Sequence, residues 1–438
     1  MDLLTGNLKS IYRKYLLSAI GSAIISTIYI SVDLIAVGHY AGPTGSAAFS
    51  CVNPLYSAMI ALGLLLGIGG SVWMSNCRGA GREREANGYF TVTAIAAVIA
   101  AAVLCAVYLI WLDPLLRLFG ADDVLLPHAR AYARWIAIAS PAFLLGVALG
   151  SFVRNDGAPG LCAVSTLIGG GLNMIGDYVL VFVCDMGMAG AGLATAIGQM
   201  TMLLVLLTHF LRRGRCRMRL VRPEGVGKKL RGIVSAGFSP FVVDLTNGVT
   251  IALFNNQIMR LATSVELAVF GTVSNVIILF QSLFYGVGQC IQPTVSVCHG
   301  AGKESRVRFM RRAALYTAVA MGAAFCLACE VFPEFFLRLY MDVTDEVLAV
   351  GPRILRVYAT SLLFMGVGIV GIYYLQSILR SRQSVALSLL RGFVLCVAFM
   401  LVLPAVFGFD AIWLTMPLTE LITAAIAVAL MKKSAGKA

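Results

Sequence analysis

The sequence has little charge: only 13% of its 438 residues are Asp, Glu, Lys or Arg, whereas soluble domains have about 25%. With 59% hydrophobic residues and a mean hydropathy of +0.87, the composition excludes a soluble globule with an apolar core. The net charge of +13 could indicate a nucleic-acid partner, but the basic residues lie between long apolar segments. That pattern is typical of cytoplasmic loops in a membrane protein. We therefore expect the lipid bilayer, and no nucleic acid, as a partner.

Clusters of histidine and cysteine are also lacking. The four histidines stand apart in the sequence: His39, His128, His209 and His299. A membrane enzyme would need a His-Asp or Asp-rich motif at a membrane surface, and these histidines have no such company. Cys326 and Cys329 form an isolated C-x-x-C pair in an apolar segment, which we interpret as helix packing rather than a metal or redox site. We expect no enzyme and no cofactor.

Twelve segments are long and apolar enough to cross a membrane as helices. They cover residues 14–38, 48–75, 88–112, 131–152, 160–184, 189–211, 232–259, 266–297, 312–333, 352–379, 384–407 and 410–431. The first is too long for a signal-peptide core and lacks a small-residue cleavage site, so we expect it to be retained. Basic residues concentrate in the loops of one side, which predicts an inner (plasma) membrane protein with both termini in the cytoplasm.

The chain repeats itself at an offset of 221 residues. This offset superimposes the Gly-Ala-Gly motif at 79–81 on that at 300–302, and the Leu-Arg-Leu motif at 116–118 on that at 337–339. Two motifs that share one offset indicate an internal repeat. Each Gly-Ala-Gly motif follows an apolar helix without a strand or a Gly-Lys-Ser/Thr sequence, so we predict a helix stop and a tight turn, not a nucleotide loop.

Each half holds six predicted helices, an even number, so both halves enter the membrane in the same orientation. The fold class predicted is an all-α membrane protein with twelve transmembrane helices in two six-helix, pseudo-symmetric lobes. We predict an N-terminal lobe at 1–211, a basic cytoplasmic linker at 212–231 and a C-terminal lobe at 232–438. Two such lobes across a cavity are an architecture for alternating access.

Carboxylates within the predicted helices of the first half are few, namely Asp33 and Asp177. A carboxylate inside a membrane helix costs about 2.5–3.5 kcal/mol on insertion, so chains rarely keep one without a use for it. Tyr29 lies four residues before Asp33, and Asn173 lies four residues before Asp177, so each pair shares a helix face. Thr195 in the sixth segment adds a neutral oxygen.

These side chains form the predicted cation-coupling set, because carboxylates, an amide oxygen and hydroxyls suit a shared proton or a hard monovalent cation. If the cation is Na⁺, its predicted ligands come from Asp33, Asn173, Asp177 and Thr195. Two alternatives stay open at this point: Asp33 could reach the headgroups from a helix end, and Asn173 could make only a helix-packing hydrogen bond.

The second half does not repeat these carboxylates. At the same offset, Asp33 falls on Phe254, Asn173 on Val394 and Asp177 on Ala398. We therefore predict the cation site in the first lobe alone.

Polar residues elsewhere are candidates for contact with a substrate. The predicted substrate-binding residues are Asp244, Gln281, Gln199 and Asn255. Asp244 and Glu420 could contact a cationic substrate or pair with Arg391 for structure, and both interpretations stay open.

On these features the chain resembles the multidrug and toxic compound extrusion transporters, part of a larger group that includes flippases. The resemblance covers nearly the whole chain and rests on the twelve segments in two repeats, the Gly-Ala-Gly turns, Val32-Asp33 with Gly38, and Asn173-x-x-x-Asp177. It implies two V-shaped lobes and export of amphipathic, often cationic, compounds against an inward flow of H⁺ or Na⁺.

The resemblance is to the branch that has its cation site in the N-terminal lobe. That branch carries a Tyr and an Asp on helix one, an Asn and an Asp on helix five and a Thr on helix six. The matching positions here are Tyr29, Asp33, Asn173, Asp177 and Thr195. The chain departs from that branch by having Gly150 in place of an asparagine on helix four and by lacking the helix-one proline.

We therefore expect a secondary antiporter, a monomer that exports small molecules in exchange for H⁺ or Na⁺ by alternating access. The alternative is a flippase for a lipid-linked precursor. A flippase would need a cationic cavity for phosphates, whereas only Arg391 lies well inside a predicted span.

Overall fold

The computed structural model describes residues 3–211, 216–261, 264–341 and 344–435, without the side chains at 43, 244, 245, 247–249, 252, 264 and 435. Within these ranges the regular structure is helical, and no strand is found. Helices α1–α6 are Leu8–Gly42, Thr44–Gly79, Glu83–Ile110, Leu126–Asn155, Pro159–Val183 and Gly187–Leu211. Helix α7 is Val226–Leu261. Helices α8–α12 are Val265–Gly300, Glu304–Val331, Asp345–Ser377, Ser381–Phe407 and Phe409–Ser434.

The predicted fold class is confirmed, since eleven of these described helices are apolar enough to cross a membrane and α7 has comparable length, 36 residues. Two short helices, Leu112–Leu118 and Pro333–Arg338, follow α3 and α9 at matching places in the two repeats. On α3 the apolar side chains of Ile95, Val98 and Val103 are 47–58% exposed, as expected of a face that meets lipid.

The chain forms two compact units. Unit 1 consists of Met1–Gly6 and Arg13–Gly237, and unit 2 of Asn7–Tyr12 and Phe238–Ala438. The lobe boundaries predicted from the sequence, with the linker at 212–231, stay a prediction. Part of that segment packs within unit 1, because the backbone N–H of Val221 donates to the Thr91 hydroxyl of α3 at 3.0 Å.

The two Gly-Ala-Gly motifs end α2 and α8 with the same turn. In the first, the backbone N–H of Arg82 donates to the Cys77 carbonyl at 2.9 Å; in the second, that of Lys303 donates to the Cys298 carbonyl at 2.8 Å. The last glycine of each motif has a positive φ, +75° at Gly81 and +67° at Gly302. Only glycine adopts that conformation without strain, which is why it ends these helices.

One of the buried cores of unit 1 draws on all six of its helices. Its side chains include Val37, Leu55, Tyr108, Ile136, Val181 and Ala191, one from each of α1–α6. Tyr132 also belongs to this core and is fully buried. Since Asp33 lies one turn before Val37 and Thr195 one turn after Ala191, apolar packing carries both polar residues into the interior of the unit.

Candidate cation site

Asp33 is buried in unit 1 and accepts hydrogen bonds from two hydroxyls. Tyr132 Oη donates to Asp33 Oδ2 at 2.6 Å, and Thr195 Oγ1 donates to the same oxygen at 3.3 Å. The side chain of Asp33 is only 4% exposed, which excludes the alternative that it reaches out to the headgroups. The residue therefore lies in a polar cluster inside the helical unit.

Asn173 joins this cluster through α6. Its Nδ2 donates to Thr195 Oγ1 at 3.1 Å, which links α5 to the oxygen that contacts Asp33. The two helices approach closely at Gly169 and Gly198: a Cβ on Gly198 would lie 2.7 Å from the Gly169 carbonyl oxygen, and one on Gly169 would lie 2.6 Å from that of Gly198. Since real side chains do not fit at such distances, glycine at both positions allows Asn173 to reach Thr195.

Asp177 lies on the same helix as Asn173 and is 1% exposed. It begins a π-helical turn, Asp177–Val183, at the end of α5. Such wide turns occur mostly as short insertions and are frequent at functional sites. The Asp177 backbone N–H donates to the Asn173 carbonyl, so Asp177 lies one helical turn after the residue that bonds Thr195, which in turn bonds Asp33.

Several acceptor oxygens of the site are unpaired. Both carboxylate oxygens of Asp177, Oδ1 of Asp33 and Oδ1 of Asn173 are buried and have no hydrogen-bond partner among the described residues. Neither Asp33 nor Asp177 takes part in a salt bridge within the described ranges. Buried carboxylates without partners are costly. Unpaired oxygens without a donor are suited to a proton or a small cation, and three of the four residues predicted to bind Na⁺, namely Asp33, Asn173 and Asp177, carry them.

Tyr29 lies at the edge of this cluster. Gln199 Nε2 donates to Tyr29 Oη at 3.5 Å, and the Tyr29 ring lies against Gly170 of α5. The structure therefore places Gln199, predicted as a substrate contact, beside a residue predicted to couple the cation. The roles of Asp33, Asp177, Asn173, Tyr29 and Thr195 stay a prediction, whereas the hydrogen bonds that join Asn173, Thr195 and Asp33 are an observation.

Sequence reasoning missed Tyr132 and Tyr56. Tyr56 Oη and Tyr132 Oη are 2.7 Å apart, so a chain of two phenols leads to Asp33. Tyr132 is 99 residues from Asp33 in the chain, and its contact with Asp33 depends on how α1 and α4 pack. The one available signal was a tyrosine inside an apolar segment, a residue type that usually hydrogen-bonds its hydroxyl when buried.

The predicted residues of the second half lie in unit 2. Gln281 Nε2 donates to Tyr285 Oη at 2.9 Å, while Asn255 is half-buried on α7. The side chain of Asp244 lies outside the described residues. Glu420 accepts from Arg391, with Nε to Oε1 at 2.8 Å and Nη2 to Oε1 at 2.7 Å. Of the two interpretations left open for Glu420, the structure therefore has the ion pair.

The histidines do not all stand apart in space, which corrects the prediction from the sequence. His209 Nε2 is 2.8 Å from Asp156 Oδ2, although 53 residues separate them in the chain. Asp156 Oδ1 also accepts from Arg78 Nη1 at 2.5 Å, and its Oδ2 accepts from the Arg217 backbone at 3.0 Å. Burial raises the pKa of the nearby Cys216 thiol. Because Asp156 already has these partners and Cys216 favours its neutral thiol, we interpret the cluster as structural.

Comparison with known proteins assigns the chain to a family. The MatE family model matches residues 18–179 and 249–403. The multidrug export protein MepA of Staphylococcus saprophyticus is 24% identical over 412 residues, which are 93% of this chain and 90% of that protein. MepA of Staphylococcus aureus strain MSSA476 is 21% identical over 408 residues, 92% of this chain and 89% of that protein.

Solved structures share the fold. An outward-facing multidrug resistance MATE family transporter superposes with a TM-score of 0.92 at 19% identity, covering 99% of this chain and 97% of that one. A MOP superfamily transporter from Pyrococcus furiosus, described as having a binding pocket of reversed polarity, superposes with a TM-score of 0.91 at 19% identity over the same shares. With the family model matched in both repeats, this protein belongs to the MatE family, and it is a membrane transporter and not an enzyme.

Proposed function

We propose that this protein is a secondary antiporter that exports amphipathic, cationic small molecules in exchange for H⁺ or Na⁺. The observation that carries the proposal is the pair of buried carboxylates, Asp33 and Asp177, whose oxygens lack hydrogen-bond partners at three of four positions among the described residues. A bound cation or a proton stabilises such a pair of buried, unpaired carboxylates because it neutralises their charge. The description of the MepA relatives as multidrug export proteins supports the substrate class.

The coupling follows from having one site that alternates between the two sides of the membrane. With the site open to the outside, Asp33 and Asp177 take up the cation and the substrate leaves. With the site open to the cytoplasm, the cation is released and a new substrate enters. Each elementary charge that moves inward down the membrane potential supplies about 2.3 kcal/mol per 100 mV, so one or two charges are enough for a useful gradient.

The proposed transporter uses no cofactor. The coupling ion is itself transported, and the MatE transporters need no cofactor. We place the protein in the plasma membrane, with both termini in the cytoplasm and as a monomer. A flippase for a lipid-linked precursor is not favoured, because the charged side chains at the site in unit 1 are carboxylates, whereas a phosphate headgroup calls for cationic partners.

The test is transport of a fluorescent cationic dye in proteoliposomes, with a pH gradient imposed at equal Na⁺ and, separately, a Na⁺ gradient imposed at equal pH. We expect one gradient to drive dye transport, which identifies the ion. Asp33→Asn and Asp177→Asn should each reduce gradient-driven transport by about tenfold or more, because an amide neither takes up a proton nor carries the charge that holds a cation.

Asp123→Asn is the matched control, because Asp123 is an exposed carboxylate of unit 1 whose ion-pair partner is the exposed Arg117. It should transport like the wild type. The proposal is wrong if both buried-site variants move dye as fast as the wild type under the gradient that drives it.

A further inference from the structure

Unit 2 has a partly open cavity of about 290 Å³. Volumes near this are at the lower end of the range for small-molecule pockets, about 300–1,000 Å³. One part of its wall is polar and is formed by Gln281, Tyr285, Arg391 and Glu420. Phe254 and Phe270 lie in another part, as stacked rings with centroids 5.1 Å apart at an interplanar angle of 16°. The cavity therefore combines charged and aromatic surfaces.

Arg391 and Glu420 form a buried ion pair in this wall. They are 5% and 0% exposed, and Arg391 Nε lies 2.8 and 3.0 Å from the two carboxylate oxygens. A buried pair of this kind is often no more stable than apolar residues of the same volume, because both charges lose their hydration. Stability alone is thus a weak reason for the pair to be there.

The cavity overlaps in position with part of the cation site of the first repeat. At the offset of 221 residues, Tyr29 corresponds to Thr250, Asp33 to Phe254, Thr195 to Met416 and Gln199 to Glu420. All four of these residues in unit 2 line the cavity, whereas Val394 and Ala398, which correspond to Asn173 and Asp177, do not. Unit 2 therefore has a pocket at the positions where unit 1 has Tyr29, Asp33, Thr195 and Gln199.

The backbone around Arg391 is also unusual. Arg391 is the buried residue of a π-helical turn, Leu390–Val394, within α11. The equivalent helix of unit 1, α5, has its own π-helical turn, which begins at Asp177. Such turns are frequent at functional sites. In both units, a buried charged side chain is thus carried by a locally widened helix.

We propose that this cavity is a substrate subsite for zwitterionic amphiphiles, molecules with an aromatic body that carry both a carboxylate and a cationic nitrogen group. The inference rests on the proposed export function and specifies one class of its substrates. Arg391 would bind the carboxylate through its planar guanidinium, and Glu420 would pair with the cationic nitrogen group. The stacked rings of Phe254 and Phe270 would contact the aromatic body.

Charge balance selects this class. A ligand with only a positive charge that bound Glu420 would leave the charge of Arg391 buried without a counter-ion, and one with only a negative charge would do the same to Glu420. Either result is strongly unfavourable. A zwitterion satisfies both side chains at once. Ser274 Oγ, a buried hydroxyl in the same wall without a hydrogen-bond partner among the described residues, offers a further polar contact.

The experiment measures binding of two dyes that share one aromatic body to the purified full-length protein. Rhodamine B has a carboxylate and a cationic amine system, whereas its ethyl ester is only a cation. We expect the wild type to bind rhodamine B more tightly than the ester. In Arg391→Met/Glu420→Met, which removes both charges together, the affinity for rhodamine B should fall by about tenfold or more, as for the loss of a hydrogen bond between charged groups.

A second variant keeps the test decisive if the double variant does not fold. Ser274→Phe places a ring in the cavity and leaves the ion pair in place, so a ligand there would be overpacked and rhodamine B should bind about tenfold or more weakly. The inference is overturned if either folded variant binds rhodamine B as the wild type does. Gradient-driven transport of the ester separates the two proposals. If the variants still transport the ester and bind rhodamine B as the wild type does, only the subsite is refuted. If the wild type does not transport the ester under either gradient, the antiporter is refuted.

Discussion

The interiors of the two units correspond in position but differ in chemistry. In unit 1, Asp33 and Asp177 are buried carboxylates with unpaired oxygens among the described residues. In unit 2, the equivalent space holds Arg391 and Glu420, two opposite charges bonded to each other. The carboxylates in unit 1 have no positive charge beside them, whereas the two charges in unit 2 neutralise each other. The two repeats therefore share the helical framework but differ in whether their buried charges need a bound cation or proton.

This difference separates two ways of burying charge. A carboxylate without a partner carries its full desolvation cost, so the site in unit 1 depends on a bound cation or a proton. An internal ion pair offsets part of that cost within the protein. Removing one charged group should therefore have different consequences in the two units. In unit 1 it should impair transport, and in unit 2 it should lower the stability of the fold.

The largest effect on stability is expected from breaking the buried pair in unit 2. Arg391→Met leaves Glu420 buried without a partner, which should destabilise the protein by about 3–5 kcal/mol. Thermal unfolding of the purified protein in detergent measures this. Arg391→Met/Glu420→Met removes the lone charge as well and should regain most of that stability. If the single and double variants unfold at the same temperature, the pair does not act as a unit, and the contrast between the two units fails.

A smaller effect is expected in unit 1 from Tyr132→Phe. This change removes the hydroxyl that donates to Asp33 Oδ2 at 2.6 Å. Loss of a hydrogen bond to a charged group costs about 1.5–3 kcal/mol, measured as the change in free energy of unfolding. Because Asp33 is a proposed cation ligand, the pH or Na⁺ dependence of dye transport should change as well.

Tyr108→Phe is the matched control for Tyr132→Phe. Tyr108 is buried in the same unit, but its hydroxyl donates to a neutral acceptor, the Leu55 carbonyl, at 2.9 Å. Its loss should cost about 0.5–1.5 kcal/mol and leave the ion dependence of transport unchanged. Equal ion dependence in the two variants would contradict a role for Tyr132 at the cation site.

The framework was predictable from the sequence because it depends on local patterns. Apolar length gave the helices, and the repeated Gly-Ala-Gly motif gave the offset that also relates the two interiors. Asp33 and Asp177 were found because carboxylates are rare in membrane helices. Each of these signals lies within one segment or in the comparison of one segment with its repeat.

The partners of these residues were not predictable in the same way. Tyr132 meets Asp33, and His209 meets Asp156, only after separate helices pack. For Arg391 the sequence left pairing with Asp244 or Glu420 open beside contact with a substrate, and a distance was needed to identify Glu420. The sequence shows directly which residues are apolar and which are polar. Which polar residues pair depends on how each helix is rotated and how deep it lies, and moving a residue by one position along a helix turns it to a different face.

The smallest effect is expected from a second ion pair of unit 2, which isolates burial as the cause. Arg353 Nη2 lies 2.9 Å from Asp410 Oδ2, about as close as the atoms of the buried pair, but these side chains are 72% and 62% exposed. Water already solvates both groups, so Arg353→Gln should cost only about 0–1 kcal/mol in the same thermal unfolding measurement. Arg353 also stands where the first repeat has Tyr132, so this variant tests whether that position matters for stability in unit 2. A loss as large as that of Arg391→Met would mean that burial is not what distinguishes the two pairs. A small loss leaves burial inside unit 2 as the reason why Arg391 and Glu420 depend on each other.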